Sequence, residues 1–445
     1  MKFDFSIAAL LCVALVTATG VAGAKVVAIK AGRLIDVVEG RVLADQVIVV
    51  EDQRIKSVGS RLTTEIPAGA AVIDLGDKTV LPGLIDTHTH LTYDPTIQGL
   101  DLYAQSYPRL AVLAVMNARA TLLAGFTTVR DAGAEGFADV AVRDGIERGD
   151  VMGPRVFAAG PWIGMTGGHC DDNSFAPQFK YSAEGVADGA DAIRKMVRRN
   201  AKYGADLIKF CASGGIFTSG DQPGAPEYSF DEVKALIDEA HALGRTVAAH
   251  AHAAQGIKNA IRAGVDSIEH ASLVDDEGIA MARRAGTVFS MDIYNTDYTQ
   301  AEGRKNGVAE ENLKQDREIG EVQRENFRKA AKGGVKMSFG TDAGLYPHGD
   351  NAKQFAIMVR YGMTPMQAII AATETGAALL KREKDFGAIE AGRFADIVAV
   401  DGDPLEDVTV LERARFVMKE GRVYRGSAEQ CAAAPAGWPC AAPGP

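Results

Sequence analysis

The chain has 445 residues, of which 47% are hydrophobic and 24% charged. This is the make-up of a folded globular protein, long enough for one large domain or two modest ones. Its formal net charge is −10 and no run of basic residues relieves it. That excludes nucleic acid as a partner, because such binding rests on Lys and Arg neutralising phosphates.

Residues 1–24 read as a secretory signal peptide. Lys2 supplies the positive start, an apolar-to-small run extends from Ile7 to Val16, and Ala22-Gly23-Ala24 has the small-x-small form of a cleavage site. The run is short for a membrane span, and no later segment is long and apolar enough for one. The expectation is cleavage after Ala24, export to the periplasm or medium, and no membrane anchor in the mature protein.

Residues 25–80 hold strand-like pieces at 25–29, 47–50, 54–58 and 72–74, separated by turn residues such as Asp52 and Gly59. Residues 385–425 hold a matching set at 397–400, 415–419 and 422–424. Neither set offers enough surface for a core alone, so together they are expected to form one small β-sandwich domain built from both ends of the chain. Residues 81–384 would be inserted between its halves. There, short apolar, β-branched runs at 84–85, 126–129, 155–158, 207–210, 247–249, 267–268, 288–289 and 336–339 alternate with helical patterns such as 230–242, 254–263 and 324–331. Eight such repeats fit a (β/α)8 TIM-like barrel. A doubly wound open sheet is the alternative from periodicity, weakened because no Gly-rich nucleotide fingerprint follows any strand. There is no P-loop and no HExxH. Residues 426–445 form an Ala/Pro-rich tail flanked by Cys431 and Cys440, which an oxidising compartment permits to pair as a disulfide. Cys170 and Cys211 lie inside the fold.

The chemistry concentrates at the strand ends. LPGLIDTHTH, residues 81–90, ends in His88 and His90, whose side chains share one face of a strand and can reach one metal ion. The fourth strand carries Lys209, the fifth His250 and His252, the sixth ends in His270 and the eighth in Asp342. Each has a plainer reading: a hydrogen-bonded surface His, an Asp capping a helix, a Lys in an ion pair. Their coincidence at the carboxyl ends of five strands, where barrel active sites lie, argues for a metal site.

In that order these residues resemble the binuclear branch of the amidohydrolase superfamily. GAIEAGRFADIV, residues 387–398, resembles that superfamily's return into its β-domain. The resemblance implies that His88, His90 and Asp342 hold one divalent ion, zinc by first choice, and that His250 and His270 hold a second. Lys209 would bridge them as a carboxylated lysine. A lysine ammonium is a donor only, whereas the carbamate formed with CO2 offers two oxygens. A hydroxide between the ions would be the nucleophile, and Asp342 would move its proton to the leaving amine. Lys209 favours hydrolysis of an amide, ester or lactone over single-metal deamination. A lactonase or a phosphotriesterase remains the alternative.

KFCASGGI at residues 209–216 and AHAH at 249–252 are similar to the prolidase-like group. That group comprises dipeptidases acting on Xaa-Pro or Xaa-Arg/Lys and carboxypeptidase-like amidases of N-acyl amino acids, ochratoxin hydrolases among them. The implied substrate is a small molecule, a dipeptide or N-acyl amino acid whose leaving amine bears a free carboxylate. His169, in the Gly-rich loop GMTGGHC at 164–170, Tyr228, in GDQPGAPEYS at 220–229, and His252 are the candidate substrate contacts. His252 is also a candidate for polarising the scissile carbonyl. Arg130-Asp131 is expected to be a supporting pair, and the resemblance implies a homo-oligomer.

Overall fold

The computed structural model describes residues 25–218, 222–433 and 440–441. The expected signal peptide lies outside the described residues, as does most of the tail. Among the described residues, no helix is long and apolar enough to cross a membrane.

Four strands open the described chain: β1 (Val26–Asp36), β2 (Arg41–Glu51), β3 (Arg54–Ser60) and β4 (Ala71–Pro82). Eight shorter ones follow: β5 (Leu84–Thr89), β6 (Phe126–Asp131), β7 (Arg155–Ala158), β8 (Leu207–Cys211), β9 (Thr246–Ala251), β10 (Ser267–His270), β11 (Val288–Ser290) and β12 (Met337–Ser338). The set closes with β13 (Ile397–Asp401), β14 (Phe416–Lys419) and β15 (Arg422–Arg425).

Both ends of the chain meet in one seven-stranded sheet of order β15-β14-β13-β4-β1-β2-β3. The expected two-sheet sandwich is thus hydrogen-bonded as a single sheet, because β4 pairs with β1 on one side and with β13 on the other. Its strands outrun the short apolar pieces of the sequence. β1 and β2 continue as an antiparallel pair through polar positions to the Asp36–Arg41 pairing, where backbone pairing rather than burial sustains them. Ile29, Ile48, Ile73, Val80, Ile397 and Phe416 fill the buried face.

The eight short strands form two parallel sheets, β5-β6-β7 and β8-β9-β10-β11-β12. Nearly every residue in them is buried, as expected for parallel strands covered by helices. Single parallel bridges link the two sheets at both ends, Thr89 to Ala343 and Ile163 to Phe210. Helices alternate with the strands, among them Tyr107–Leu123, Ala190–Lys202, Phe230–Ala242 and Ala254–Ala263. The helix expected at 324–331 is the last part of a longer one, Glu310–Lys332. Its first half buries Leu313, Asp316 and Gly320, a face too mixed in polarity to register as an apolar stripe.

The sheet is joined to the parallel layer by a shared apolar core that includes Val398, Val417 and Phe126 and by two notable polar contacts. Gly83, between β4 and β5, donates its N–H to Asp396 O (2.8 Å), and a Cβ there would fall 2.1 Å from Thr127 Oγ1. Only glycine passes this junction. Arg155 on β7 reaches back to Asp396 (2.8 Å) and Glu420 (2.6 Å).

Candidate metal centre and catalytic cavity

The predicted ligands converge. One ligand atom from each of His88, His90 and Asp342 lies within 4.8 Å of the others. The same holds for His250, His252 and His270, and for His270, Asp292 and Asp342. His88 and His90 project from the end of β5, Lys209 from β8, His250 from β9 and His270 from β10. Asp342 follows β12 and is folded back onto β5: its N–H and that of Thr341 both donate to His88 O (2.7 and 3.2 Å). Gly340 permits this approach, since a Cβ there would meet Ser290 Oγ at 1.9 Å. His270 and Asp342 both have positive φ, 69° and 57°. That region is strained for residues other than glycine and is occupied mostly where function or surroundings demand it.

The donor set fits a pair of divalent ions, and the test is which ring nitrogens are already engaged. His88 Nδ1 lies 3.0 Å from Glu269 Oε2, His90 Nδ1 lies 3.1 Å from Gly133 O, and His270 Nδ1 lies 2.8 Å from Asp292 Oδ1. In all three the outer nitrogen is held by a carboxylate or carbonyl, which fixes the tautomer that presents Nε2 as a lone pair. His90 Nε2 stands 3.2 Å and His88 Nε2 3.4 Å from Asp342 Oδ1. His250 is reversed: its Nε2 lies 3.3 Å from Gly214 O, leaving Nδ1. His252 Nδ1 is engaged by Ser272 Oγ at 2.8 Å, so it offers Nε2. Lys209 Nζ is 3.4 Å from His88 Nε2.

Electrostatics favour the ligating form at most of these groups; His270 is the exception, since burial lowers its pKa but Asp292 and Asp342 outweigh it and raise it. Burial, reinforced by Lys209, pushes the His88 imidazole down to about 4. Burial also holds His250 and His252 well below the ordinary histidine value, aided by the neighbouring imidazoles. Burial lowers the Lys209 ammonium, raising the share of free amine. For Asp342 burial opposes ionisation, but His88 and His90 outweigh it and hold the carboxyl well below the usual range.

The site opens into a cavity of about 300 Å3. His169 lines it, its ring stacked on His250 with centroids 4.1 Å apart. His252 lines it as well. Tyr228 does not: it is 4% exposed, packs in the hydrophobic core and donates its hydroxyl to Ala187 O at 2.8 Å. The position just before Ser229, which caps the helix Phe230–Ala242, turns its ring inward, so the expected substrate contact is corrected to a core residue. Arg130 and Asp131 are not paired with each other. Arg130 donates to Glu269 (2.7 Å), and Asp131 accepts from Leu91 N–H (2.6 Å).

Several supporting residues escaped the sequence reading. Glu269 and Asp292 orient histidines, and Asp86 fastens Thr341 (2.6 Å) and Asn351 (2.8 Å) beside the Asp342 turn. Cys170 is joined to Cys211 in the cavity wall, and Cys431 is joined to Cys440. The Cys431–Cys440 bridge is the one expected from the sequence; the Cys170–Cys211 pair could have been proposed once export was expected, whereas Glu269 and Asp292 have no local signature.

Imidazoles, a carboxylate and a buried lysine at the carboxyl ends of parallel strands define a site able to hold divalent metal ions, and the relatives below make the class a hydrolase acting on amide bonds. The chain belongs to the amidohydrolase family, whose profile matches residues 79–424. Ochratoxinase of Aspergillus niger is 30% identical over 432 residues, covering 91% of this chain and 87% of that protein. Among solved structures, a Xaa-Pro dipeptidase with methionine bound in its active site superposes with a TM-score of 0.84 at 37% identity, over 90% of this chain and 100% of the other. A prolidase complexed with N-methylphosphonate-L-proline gives 0.83 at 30% identity, over 91% and 100%.

Proposed function

We propose that the mature protein is an exported, binuclear amidase. It hydrolyses the amide bond of dipeptides or N-acyl amino acids that keep a free carboxylate on the leaving residue, ochratoxin A being one compound of this class. The observation that carries the reading is the convergence of His90, Lys209, His250, His270 and Asp342 on one cavity, with His88 grouped behind them against His90 and Asp342. We read the two parallel sheets as one (β/α)8 barrel, which the bridges at both ends support. The likeness to a Xaa-Pro dipeptidase and to ochratoxinase supports the substrate class.

His88, His90 and Asp342 would hold one ion, zinc by first choice, and His250 and His270 the other, with Lys209 bridging as its carbamate. Such ions supply Lewis acidity and a water acidic enough to attack at neutral pH. Asp342 is ionised, and one of its oxygens takes the proton released in the attack and hands it to the departing amine. His252, its Nδ1 engaged by Ser272 Oγ, would polarise the scissile carbonyl through Nε2–H. His169, neutral because burial drives its pKa down to about 3, donates one N–H to the substrate carboxylate.

The test is a panel of dipeptides, N-acyl amino acids, their C-terminal amides, lactones and a phosphotriester, using zinc-loaded mature protein. Turnover is expected on the free acids and is expected to fall at least tenfold on the amides, about 1.4 kcal/mol of binding or more. Preferential turnover of lactones or phosphotriesters would overturn the substrate class. Lys209→Ala is expected to lose most activity and bound metal. Two ions per chain and full activity in that variant would overturn the binuclear reading.

A further inference from the structure

The stretch between β7 and the helix Ala190–Lys202 contains only one short turn of helix, Pro177–Phe179. It nonetheless supplies Trp162, His169, Cys170 and Tyr181 to the cavity wall. Irregular segments of this length are normally the least constrained part of a fold. Here hydrogen bonds fix part of it. Ile163 N–H donates to Lys209 O and Cys211 N–H to Ile163 O, both 2.9 Å, and His169 N–H donates to Glu227 Oε1 at 2.6 Å. The Cys170–Cys211 disulfide adds a covalent tie from this segment to a strand of the site.

Its position gives the tie its meaning. Side chains alternate along a strand, so Cys211 shares the face of Lys209, two residues earlier on β8. Cys170 follows His169. The His169 ring is stacked on His250 and packed close against Gly215, where an added Cβ would fall 2.0 Å from His169 Nδ1. A Cβ on Gly164 would fall 2.4 Å from Cys170 Cβ. The bridge therefore anchors the residue next to a tightly enclosed imidazole directly to the strand that carries Lys209. No residue of the proposed chemistry uses either sulfur.

We infer that the Cys170–Cys211 disulfide is a positioning element of the hydrolytic site and makes its activity redox-dependent. Oxidised, it holds His169 in the cavity beside Lys209 and His250. Reduced, it releases the 164–172 loop and weakens substrate binding. In the step, a small dithiol gives up two electrons and two protons. The protein S–S bond breaks, two cysteine thiols form, and the dithiol closes to its own cyclic disulfide. Cys170 and Cys211 are 4% and 1% exposed but line the cavity, so the reductant that reaches them is a small molecule entering through the cavity rather than a protein. The inference rests on the proposed amidase reading for its activity readout alone.

The experiment uses zinc-loaded mature protein with Cys431→Ser and Cys440→Ser, so that free thiols report this pair only. Untreated protein, dithiol-treated protein and a form further carrying Cys170→Ser and Cys211→Ser are compared. The measurements are thiol count, metal content, kcat, KM and hydrogen exchange at residues 164–172. The expected result after reduction is two free thiols, retained metal, KM raised about tenfold with a smaller change in kcat, and faster exchange at 164–172. A tenfold rise corresponds to roughly one hydrogen bond of binding energy. The doubly substituted form should match the reduced protein and ignore the dithiol, which separates reduction from metal stripping. Two free thiols with unchanged KM and unchanged exchange would overturn the inference. If no amide is hydrolysed by any form, the amidase reading falls, and the exchange rates alone still decide whether the bridge positions the loop.

Discussion

His88 can present Nε2 to a metal ion only while its Nδ1 carries the proton, and the group placed beside that nitrogen is Glu269. One Glu269 oxygen lies 3.0 Å from that nitrogen, while the other accepts from Arg130 (2.7 Å) and Ser267 Oγ (2.5 Å). Burial opposes this charge, but Arg130 and His88 outweigh it and keep the carboxyl far below its usual range. Glu269→Gln removes the charge while keeping the shape. Metal retention against a competing chelator is expected to fall about 10–100-fold, the usual cost of losing such a partner, and unchanged retention would separate Glu269 from ligand orientation. That these candidate ligands come together was legible in the sequence, because His-x-His and a terminal His or Asp on successive β-runs are local patterns. Glu269, Asp292 and Arg130 were not, since their roles depend on which strands face one another across the site. Tyr228 misled for a related reason: its loop was correctly placed near the site, but a residue beside a helix cap can turn inward or outward, and packing decided.

At the scale of elements, the eight β-runs fell where the strands are, since wholly buried parallel strands are short apolar blocks. The connections between them were far less legible. The segment after β12 shows why. There His348 Nε2–H donates to His90 O (3.1 Å), and its Nδ1 sits 3.1 Å from Thr121 Oγ1 on the helix Tyr107–Leu123. One neutral imidazole thus ties that helix to the end of β5, a link between distant segments that no local pattern announces. Burial pushes the His348 pKa down to about 4. A histidine with a lowered folded-state pKa stays neutral in the fold while the unfolded chain takes up a proton near pH 6.5. Its contribution is therefore complete above about pH 6.5 and is lost as pH falls from there towards 4. His348→Gln should accordingly cost more stability at pH 7.5 than at pH 5, by roughly 1–2 kcal/mol in metal-free protein. Chemical denaturation at the two pH values measures the difference, and an equal cost at both would remove His348 as the titrating link.

Across the whole molecule, the terminal sheet and the parallel layer depend on each other. β4 runs from the sheet through Gly83 straight into β5, which bears His88 and ends just before His90, so the candidate ligands are tied to the sheet through one continuous backbone. Arg155 is the charged clasp between the layers. Its side chain is 10% exposed, and it pairs with Asp396, 3% exposed, and with Glu420. It also lies over the rings of Phe386 and Phe394, 4.8 Å from each centroid. That both chain ends build one β-domain could be read from two incomplete sets of strands. The clasp could not, because an Arg opening a β-run looks like any solvent-facing charge. A buried ion pair is a poor source of net stability when compared with apolar residues, but removing one partner leaves the other charged and dry. Arg155→Ala is therefore expected to cost about 3–5 kcal/mol, read from urea unfolding. Much of that cost belongs to the stranded Asp396 rather than to the lost attraction. Adding Asp396→Asn should then recover part of the loss, because the amide needs no counter-charge. If the double variant is as unstable as the sum of the two single ones, the two residues act independently and the clasp does not exist. If it is clearly more stable than that sum, the coupling between sheet and site runs through this pair.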